Sequence, residues 1–423
     1  MDVIFCPSRL SGVVAAPASK SEAHRRMICA GLSDSEVILT DYMESADMAA
    51  TKRCLTALGA EVSTKENVLT VRGGKLKPGF MPLLDCGESG STLRFFVPLA
   101  MTVAGGGVFR MHGRLGSRPM DVYRDLFVPQ GADWRMSAGA DGTAELTVYG
   151  GLTPGNYELP GNVSSQFVSG LLFALPLLEG ESTLTVKPPV ESSGYIRMTI
   201  KAIEESGIHL EETAPFAWRI PGFQKYHAPS GALHGDYSQA AVLLCAAALG
   251  HEIAVTGLAP DTIQGDRAVI QHLQTLGAQV EEHDMTVTVR GGKLHGAVLD
   301  MRDCPDIAPM LALVCQLAEG ESRLVRCGRL RLKECDRLES TVNLLNKLGG
   351  RARIDGDTMV IQGVPKLQGG VTLNNDNDHR MVMLAAIAAS VAERPVTVPG
   401  AEALNKSWPE FLRVYEALGG KTA

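Results

Sequence analysis

Aromatic residues are scarce in this chain: Phe, Tyr and Trp make up 5% of its 423 residues. That is too few for the stacking platforms that hold bases. A basic excess is also missing. The net charge of −7 argues against a nucleic-acid partner, which calls for clustered Lys and Arg, while leaving room for a local cationic pocket that takes a small anion. The nine cysteines, at 6, 29, 54, 86, 245, 304, 315, 327 and 335, are odd in number and contain no CxxC pair. They read as reduced intracellular thiols rather than a disulfide framework or zinc site. The ten histidines include no HExxH, so no metal is expected. No GxxxxGK[ST] nucleotide loop occurs, and GESGS at 87–91 lacks the last glycine of a nucleophile elbow. The most apolar stretches, Ala240–Leu249 and Met381–Ala392, are too short to span a bilayer. MDVIFCPSR shows no basic segment followed by an apolar one. A cytoplasmic protein with no membrane partner is expected.

What is present is a globular balance, 45% hydrophobic and 21% charged, arranged as a repeat. VRGGKL stands at 71–76 and again at 289–294, each after a segment ending Leu-Gly-Ala. Glycines at 59, 131, 207, 277, 349 and 419 follow helix-like segments at intervals of 72, 76, 70, 72 and 70 residues. A glycine just past a helix suits the left-handed backbone needed there. A second series repeats at the same interval: polar openings followed by apolar runs, beginning near 20, 90, 164, 238, 306 and 379. Ser19-x-x-Glu22 has the spacing of a capping box. Runs apolar all round read as helices buried on every side.

Each unit of about 70 residues therefore reads as strand, buried helix, strand, amphipathic helix and hairpin. The sixth copy stops at GGKTA, and the N-terminal VIFCPSRLSGVVAAP is expected to supply its missing hairpin. Three repeats to a domain give domain I, residues 1–18 plus 230–423, and domain II, residues 19–229. Parallel buried helices would aim their N-termini at the cleft between the domains, and unpaired N–H groups there attract anions. Caps alone explain the Ser, Asn and Asp of the openings. They do not explain Lys20, Arg25, Arg94, His379 and Arg380.

The segments PASKSEAHRR (17–26), ESGSTLR (88–94), GSRPM (116–120), VSSQ (163–166), ESSGYIRMT (191–199), PDIA (305–308), LKECDRL (332–338), NDHRM (377–381) and NKSWPEF (405–411) resemble, in order, those of the 5-enolpyruvylshikimate-3-phosphate synthase family. The resemblance implies an α/β fold of two inside-out α/β barrel domains, each of three βαβαββ repeats. It implies transfer of the carboxyvinyl group of phosphoenolpyruvate to the 5-hydroxyl of shikimate 3-phosphate, by addition–elimination through a tetrahedral intermediate, with the active site in the interdomain cleft. No cofactor is implied, and a monomer is expected.

The resemblance also assigns residues. Lys20, Ser21, Arg25, Ser164, Ser165, Gln166, Ser192, Tyr195, Asp306 and Lys333 match shikimate 3-phosphate ligands. Lys20, Gly90, Arg118, Gln166, Arg337, Arg380 and Lys406 match the phosphoenolpyruvate site, where the bidentate arginine fork suits carboxylate and phosphate. Asp306, Glu334 and Lys20 match catalytic groups: Asp306 for the hydroxyl proton, Glu334 with Lys20 for the proton at C3. On local sequence alone, Asp306 could be a plain helix-start charge and Glu334 an intrahelical partner of Arg337. Two positions depart from the family pattern, Glu88 and Arg329, and both stay outside the site. The competing readings are a UDP-N-acetylglucosamine enolpyruvyl transferase, disfavoured because HGRLGSRPM (112–120) has no cysteine, an RNA 3′-phosphate cyclase, disfavoured by the acidic charge, and a non-catalytic anion-binding scaffold.

Overall fold

The computed structural model describes residues 1–73 and 79–423; the Gly74–Leu76 part of the first VRGGKL copy lies outside them. The described chain divides into two compact units. An inserted unit runs from Ala18 to Leu233, and a terminal unit joins Met1–Pro17 to His234–Ala423.

Twelve α-helices occur among the described residues. In the inserted unit these are α1 (Lys20–Leu32), α2 (Ala46–Ala57), α3 (Gly90–Ala104), α4 (Asp121–Phe127), α5 (Ser165–Ala174) and α6 (Ser193–Glu205). The terminal unit holds α7 (Tyr237–Ala248), α8 (Ala268–Thr275), α9 (Ala308–Gln316), α10 (Arg337–Lys347), α11 (His379–Ser390) and α12 (Phe411–Ala417). The apolar runs form the central helices. Every residue of α7 and of α11 is buried, as a helix without a polar face must be. The alternating outer helices are shorter or amphipathic, α6 burying Ile196, Ile200 and Ile203 on one stripe. All six lattice glycines have positive φ, from 81° at Gly207 to 106° at Gly59, so the repeat in sequence is a repeat in helix termination.

The described residues form six four-stranded sheets, three in each unit. In one of them Leu83–Asp85 lies parallel to Gly106–Met111, which pairs antiparallel with Ala144–Tyr149 of the hairpin closed by Asp133–Ala138. The parallel pair is joined through α3, since parallel neighbours need a crossover. Phe109, Leu146 and Val148 turn inward, fully buried, and alternate residues face out. Burial of side chains this size contributes about 1.5–3 kcal/mol each.

The N-terminal segment departs from expectation. Only its first strand, Val3–Cys6, completes the sixth repeat, pairing with Val396–Val398 and with Lys421–Thr422. The second strand, Ser11–Ala15, lies parallel to Glu252–Thr256 in a different sheet of the terminal unit. The C-terminal Lys-Thr, too short to read as a strand from sequence, is the other arm of the missing hairpin. Gly231–Ala232 joins the first sheet of the inserted unit beside Leu39 and Thr40. Thus a strand distant in sequence completes one sheet of the inserted unit and two of the terminal unit.

Candidate active site

In the inserted unit the openings of α1, α3 and α5 are capped by serines. Ser19, Ser89 and Ser164 accept from the N–H groups of Glu22, Thr92 and Gln166 at 3.2–3.3 Å. Lys20, the first residue of α1, pairs with Asp47 of α2 at 2.8 Å. Arg25 lies one turn deeper and is 3% exposed. Its guanidinium donates to Thr199 Oγ1 at 2.8 Å, to the Ser21 carbonyl at 2.7 Å and to the Tyr195 carbonyl at 2.9 Å. It also lies over the Phe95 and Tyr195 rings. The spacing of Ser21 and Arg25 does bring them together, through the backbone of Ser21. All these acceptors are neutral, so Arg25 is a buried cation held without a carboxylate, and burial lowers its pKa to about 10. Such a group is poised for an anion. Ser192 precedes α6 in the left-handed conformation, φ 53°, and is 1% exposed.

Gly90 begins α3, where a Cβ would stand 2.8 Å from Arg118 Nη1 and 3.1 Å from Arg94 Nη1. The missing side chain is what lets two guanidinium groups crowd this helix opening. Gln166 joins them: its Oε1 accepts from Arg94 at 2.7 Å and its Nε2 donates to Ser91 at 2.8 Å. Arg94 is absent from the residues assigned above, although it is buried, donates also to the Pro119 carbonyl and stacks over Phe167. The signal was an arginine inside an otherwise apolar helix. Glu88, one of the departures, packs its carboxylate against Gly113, which adopts φ 51°.

The terminal unit caps with aspartates instead. Asp236, Asp336 and Asp378 open α7, α10 and α11. Arg337, 2% exposed, grips three carboxylates: Asp378 Oδ2 through Nε, Asp306 Oδ1 through Nη1 and Glu334 Oε2 through Nη2, each at 2.7 Å. Glu334 precedes α10, so its pairing with Arg337 is not the intrahelical bridge that spacing alone suggested. Lys333 Nζ stands 3.0 Å from Asp306 Oδ1, and Lys406 Nζ 4.0 Å from Glu334 Oε1. Burial would raise the Asp306 pKa, but Lys333, Arg337 and Arg380 together hold it well below the usual carboxylate range. Burial pulls the Lys333 pKa down against the pull of Asp306. Arg380 donates through both terminal nitrogens to Ser238, 2.5 Å to its carbonyl and 2.6 Å to its hydroxyl. Asp378 and Ser238 were not singled out from sequence; Asp378 stood in NDHRM, where it reads as a simple cap.

Among the described residues no group of three or more His, Cys, Asp or Glu side chains could hold a metal ion. No helix among them is long and apolar enough to cross a membrane. The EPSP synthase family model, 3-phosphoshikimate 1-carboxyvinyltransferase, matches residues 5–415.

The chain belongs to the EPSP synthase family.

It is 37% identical to a 3-phosphoshikimate 1-carboxyvinyltransferase of Clostridioides difficile, over 98% of this chain and 97% of that one. A relative of the same description from Clostridium beijerinckii is 38% identical over 98% and 96%. An EPSP synthase structure from Acinetobacter baumannii superposes with a TM-score of 0.82 at 23% identity, covering 100% of this chain and 99% of that one. An enolpyruvyl transferase from Streptomyces tendae gives 0.79 at 19% identity, over 100% and 98%. These two structures establish the enolpyruvyl transferase fold. Membership in the EPSP synthase family carries its activity, 3-phosphoshikimate 1-carboxyvinyl transfer in the shikimate pathway of aromatic amino acid biosynthesis. The family's substrates are phosphoenolpyruvate and shikimate 3-phosphate.

Proposed function

We propose that this transfer proceeds by addition–elimination with its labour split between hydroxyl-capped and acid-capped residues. Arg25, with Ser21, Ser164, Ser165, Gln166, Ser192 and Tyr195, holds shikimate 3-phosphate, whose phosphate supplies the counter-charge that Arg25 lacks among the described residues. Gly90, Arg118, Gln166, Arg380, Lys406 and Lys20 hold phosphoenolpyruvate. Arg337 serves the same donor while fixing the two carboxylates that flank the chemistry.

Asp306 takes the proton of the 5-hydroxyl as its oxygen bonds to C2 of phosphoenolpyruvate. C3 gains a proton from the Glu334–Lys20 pair, which gives the tetrahedral phospho-ketal. The same pair then removes a proton from C3, the C2–O bond to phosphate breaks, and the enol ether and inorganic phosphate are released. A carboxylate as acidic as Asp306 is a weak base while Lys333 sits on it. Lys333 is also a shikimate 3-phosphate ligand, so its transfer to the substrate relaxes that grip and makes Asp306 more basic when the hydroxyl arrives. Side-chain cations carry the developing charge.

The observation that supports this reading most is the single guanidinium of Arg337 shared by Asp306 and Glu334, with Lys333 on the same Asp306 oxygen and Lys406 facing the other Glu334 oxygen. The test separates the two protons. Glu334→Gln should slow exchange of solvent hydrogen into C3 of phosphoenolpyruvate, and Asp306→Asn should depress formation of the tetrahedral intermediate in rapid-quench experiments. Each variant should lose about 10²–10⁴-fold in turnover while melting like the parent and still binding shikimate 3-phosphate. Near-parental turnover in both would remove the two carboxylates from the mechanism and leave Lys20 as the acid–base group.

A further inference from the structure

Behind the opening of α3 runs a buried polar chain that the activity has not yet used. Thr92 Oγ1 donates to Ser89 Oγ at 2.8 Å, Thr51 Oγ1 lies 2.8 Å from Thr92 Oγ1, and His24 Nδ1 lies 2.7 Å from Thr51 Oγ1. All four residues are at most 1% exposed. Each hydroxyl has one proton to give. Thr92 gives its proton to Ser89, so its oxygen can only accept from Thr51. Thr51 has then spent its proton and must accept from His24, which places the imidazole proton on Nδ1. The far nitrogen, His24 Nε2, is buried without a hydrogen-bond partner among the described residues, as suits a neutral ring; burial lowers the His24 pKa to about 3.

The direction has a consequence at the other end. Ser89 Oγ accepts twice, from the Thr92 hydroxyl and the Thr92 N–H. Its own proton has no acceptor among the described residues, in a place adjoining Gly90 and its two guanidinium groups. A buried hydroxyl with an unspent proton is costly unless something accepts it.

We propose that Ser89 is a further ligand of phosphoenolpyruvate, donating its hydroxyl proton to an anionic oxygen of the donor, and that Thr92, Thr51 and His24 are positioning residues that fix the direction of that donation. This rests on the reading of Gly90 and Arg118 as part of the phosphoenolpyruvate site. Nothing is transferred along the chain; it sets which way each proton points. His251 of the terminal unit is a built-in contrast. Its Nδ1 accepts from the Leu10 N–H at 3.1 Å and its Nε2 lies 2.8 Å from Ser390 Oγ, so its proton sits on Nε2.

The test uses the full chain. Nitrogen-15 NMR of histidine-labelled protein should show the Nδ1–H tautomer for His24 and the Nε2–H tautomer for His251. Ser89→Ala should raise KM for phosphoenolpyruvate about ten- to a hundredfold, the scale of one hydrogen bond to a charged group, with KM for shikimate 3-phosphate unchanged. Thr51→Val should move the same constant by a smaller factor, and Thr51→Ser should restore it. An Nε2–H tautomer at His24 would overturn the proposal. So would a parental KM for phosphoenolpyruvate in folded Ser89→Ala or Thr51→Val, or an equal rise for both substrates. If Ser89→Ala does not fold, the tautomer and the Thr51 pair decide. Arg118→Ala is the control for the underlying reading: a raised KM there with a parental Ser89→Ala defeats the proposal alone, and parental values in both defeat the reading with it.

Discussion

The two units solve one problem in two ways. Every α-helix leaves N–H groups unpaired at its start. The inserted unit covers them with hydroxyls, from Ser19, Ser45, Ser89 and Ser164, and the terminal unit with carboxylates, from Asp236, Asp336 and Asp378. A hydroxyl cap satisfies the donors and leaves the positive end of the helix unneutralised, which suits a helix opening that must take up a phosphate. A carboxylate cap cancels that field and would repel an anion, and the terminal unit meets it with buried cations, Arg337 above all. The difference shows in the two most buried arginines of these openings. Arg25 is held by neutral acceptors and has no carboxylate partner among the described residues; Arg337 is held by three carboxylates. On the proposed reading the first meets a ligand's charge and the second holds acid–base groups in place.

The strongest way to break the comparison is to remove the second arginine. Arg337→Met leaves Asp306, Glu334 and Asp378 facing one another without their shared cation. Loss of one partner from a buried ionic cluster costs about 3–5 kcal/mol, so urea unfolding at pH 7 should show a loss of that size. A loss under about 1 kcal/mol would mean that the cluster behaves like a surface pair.

Arg25→Met should spare stability and harm binding. The Thr199 hydroxyl keeps its bonds to Ser169 and to the Tyr195 carbonyl, so no buried polar group is stranded. Stability should hold within about 1 kcal/mol. The dissociation constant for shikimate 3-phosphate, read by calorimetry, should rise about ten- to a hundredfold. Equal stability losses in the two arginine variants would erase the distinction.

Much of this was legible in the sequence, for physical reasons that differ by residue. The repeat was legible because the backbone demands glycine after each helix and because helices buried on all sides admit few polar residues, so Gly59 and Gly277 or α7 and α11 betray themselves by composition. The cations Lys20, Arg25 and Arg380 were legible at the openings because capping a helix start does not call for a positive charge. Two kinds of information were not. The pairing of Val3–Cys6 with Lys421–Thr422 joins the two ends of the chain, and no local pattern in a two-residue strand announces it. The partners of site residues were hidden as well. Asp378 has the spacing of an ordinary cap, and Arg94 stands inside a helix that reads as core. Their roles depend on what Arg337 and Gln166 bring to them from more than 40 residues away.

A smaller effect sharpens the contrast between caps. Ser45→Ala removes a hydroxyl cap from α2 and should cost about 1 kcal/mol, the same in low and high salt, because no net charge is lost. Asp336→Asn keeps the bond to the Glu339 N–H but removes the charge at the start of α10 and its pairing with Arg331 at 3.1 Å. It should cost about 0.3–1 kcal/mol at low salt, and the cost should vanish near 1 M NaCl, where screening acts within about 3 Å. Paired unfolding curves at the two salt concentrations decide it; a salt-independent Asp336→Asn would show that its charge contributes nothing.

The smallest expected effect concerns a feature the units share in inverted form. His24 in the inserted unit and His251 in the terminal unit are both buried and neutral, with pKa values lowered chiefly by burial to about 3 and about 4. As pH falls, the unfolded chain therefore takes up protons at these positions first, near its ordinary value of about 6.5. Their contribution to stability is full above that value and declines until the folded pKa is reached. Between pH 7 and 6 each histidine should cost about 0.7 kcal/mol, from the fraction of unfolded chain protonated at the two pH values. His251→Gln and His24→Asn each lower stability at pH 7 by removing packed rings, so the quantity to read is the slope. Each variant should lose about 0.7 kcal/mol less than the parent between pH 7 and 6, and the two corrections should add, because the residues lie in different units and share no partner. An unchanged slope in either variant would mean that its ring takes up its proton in the folded chain near the ordinary value of about 6.5, so that burial does not hold it neutral.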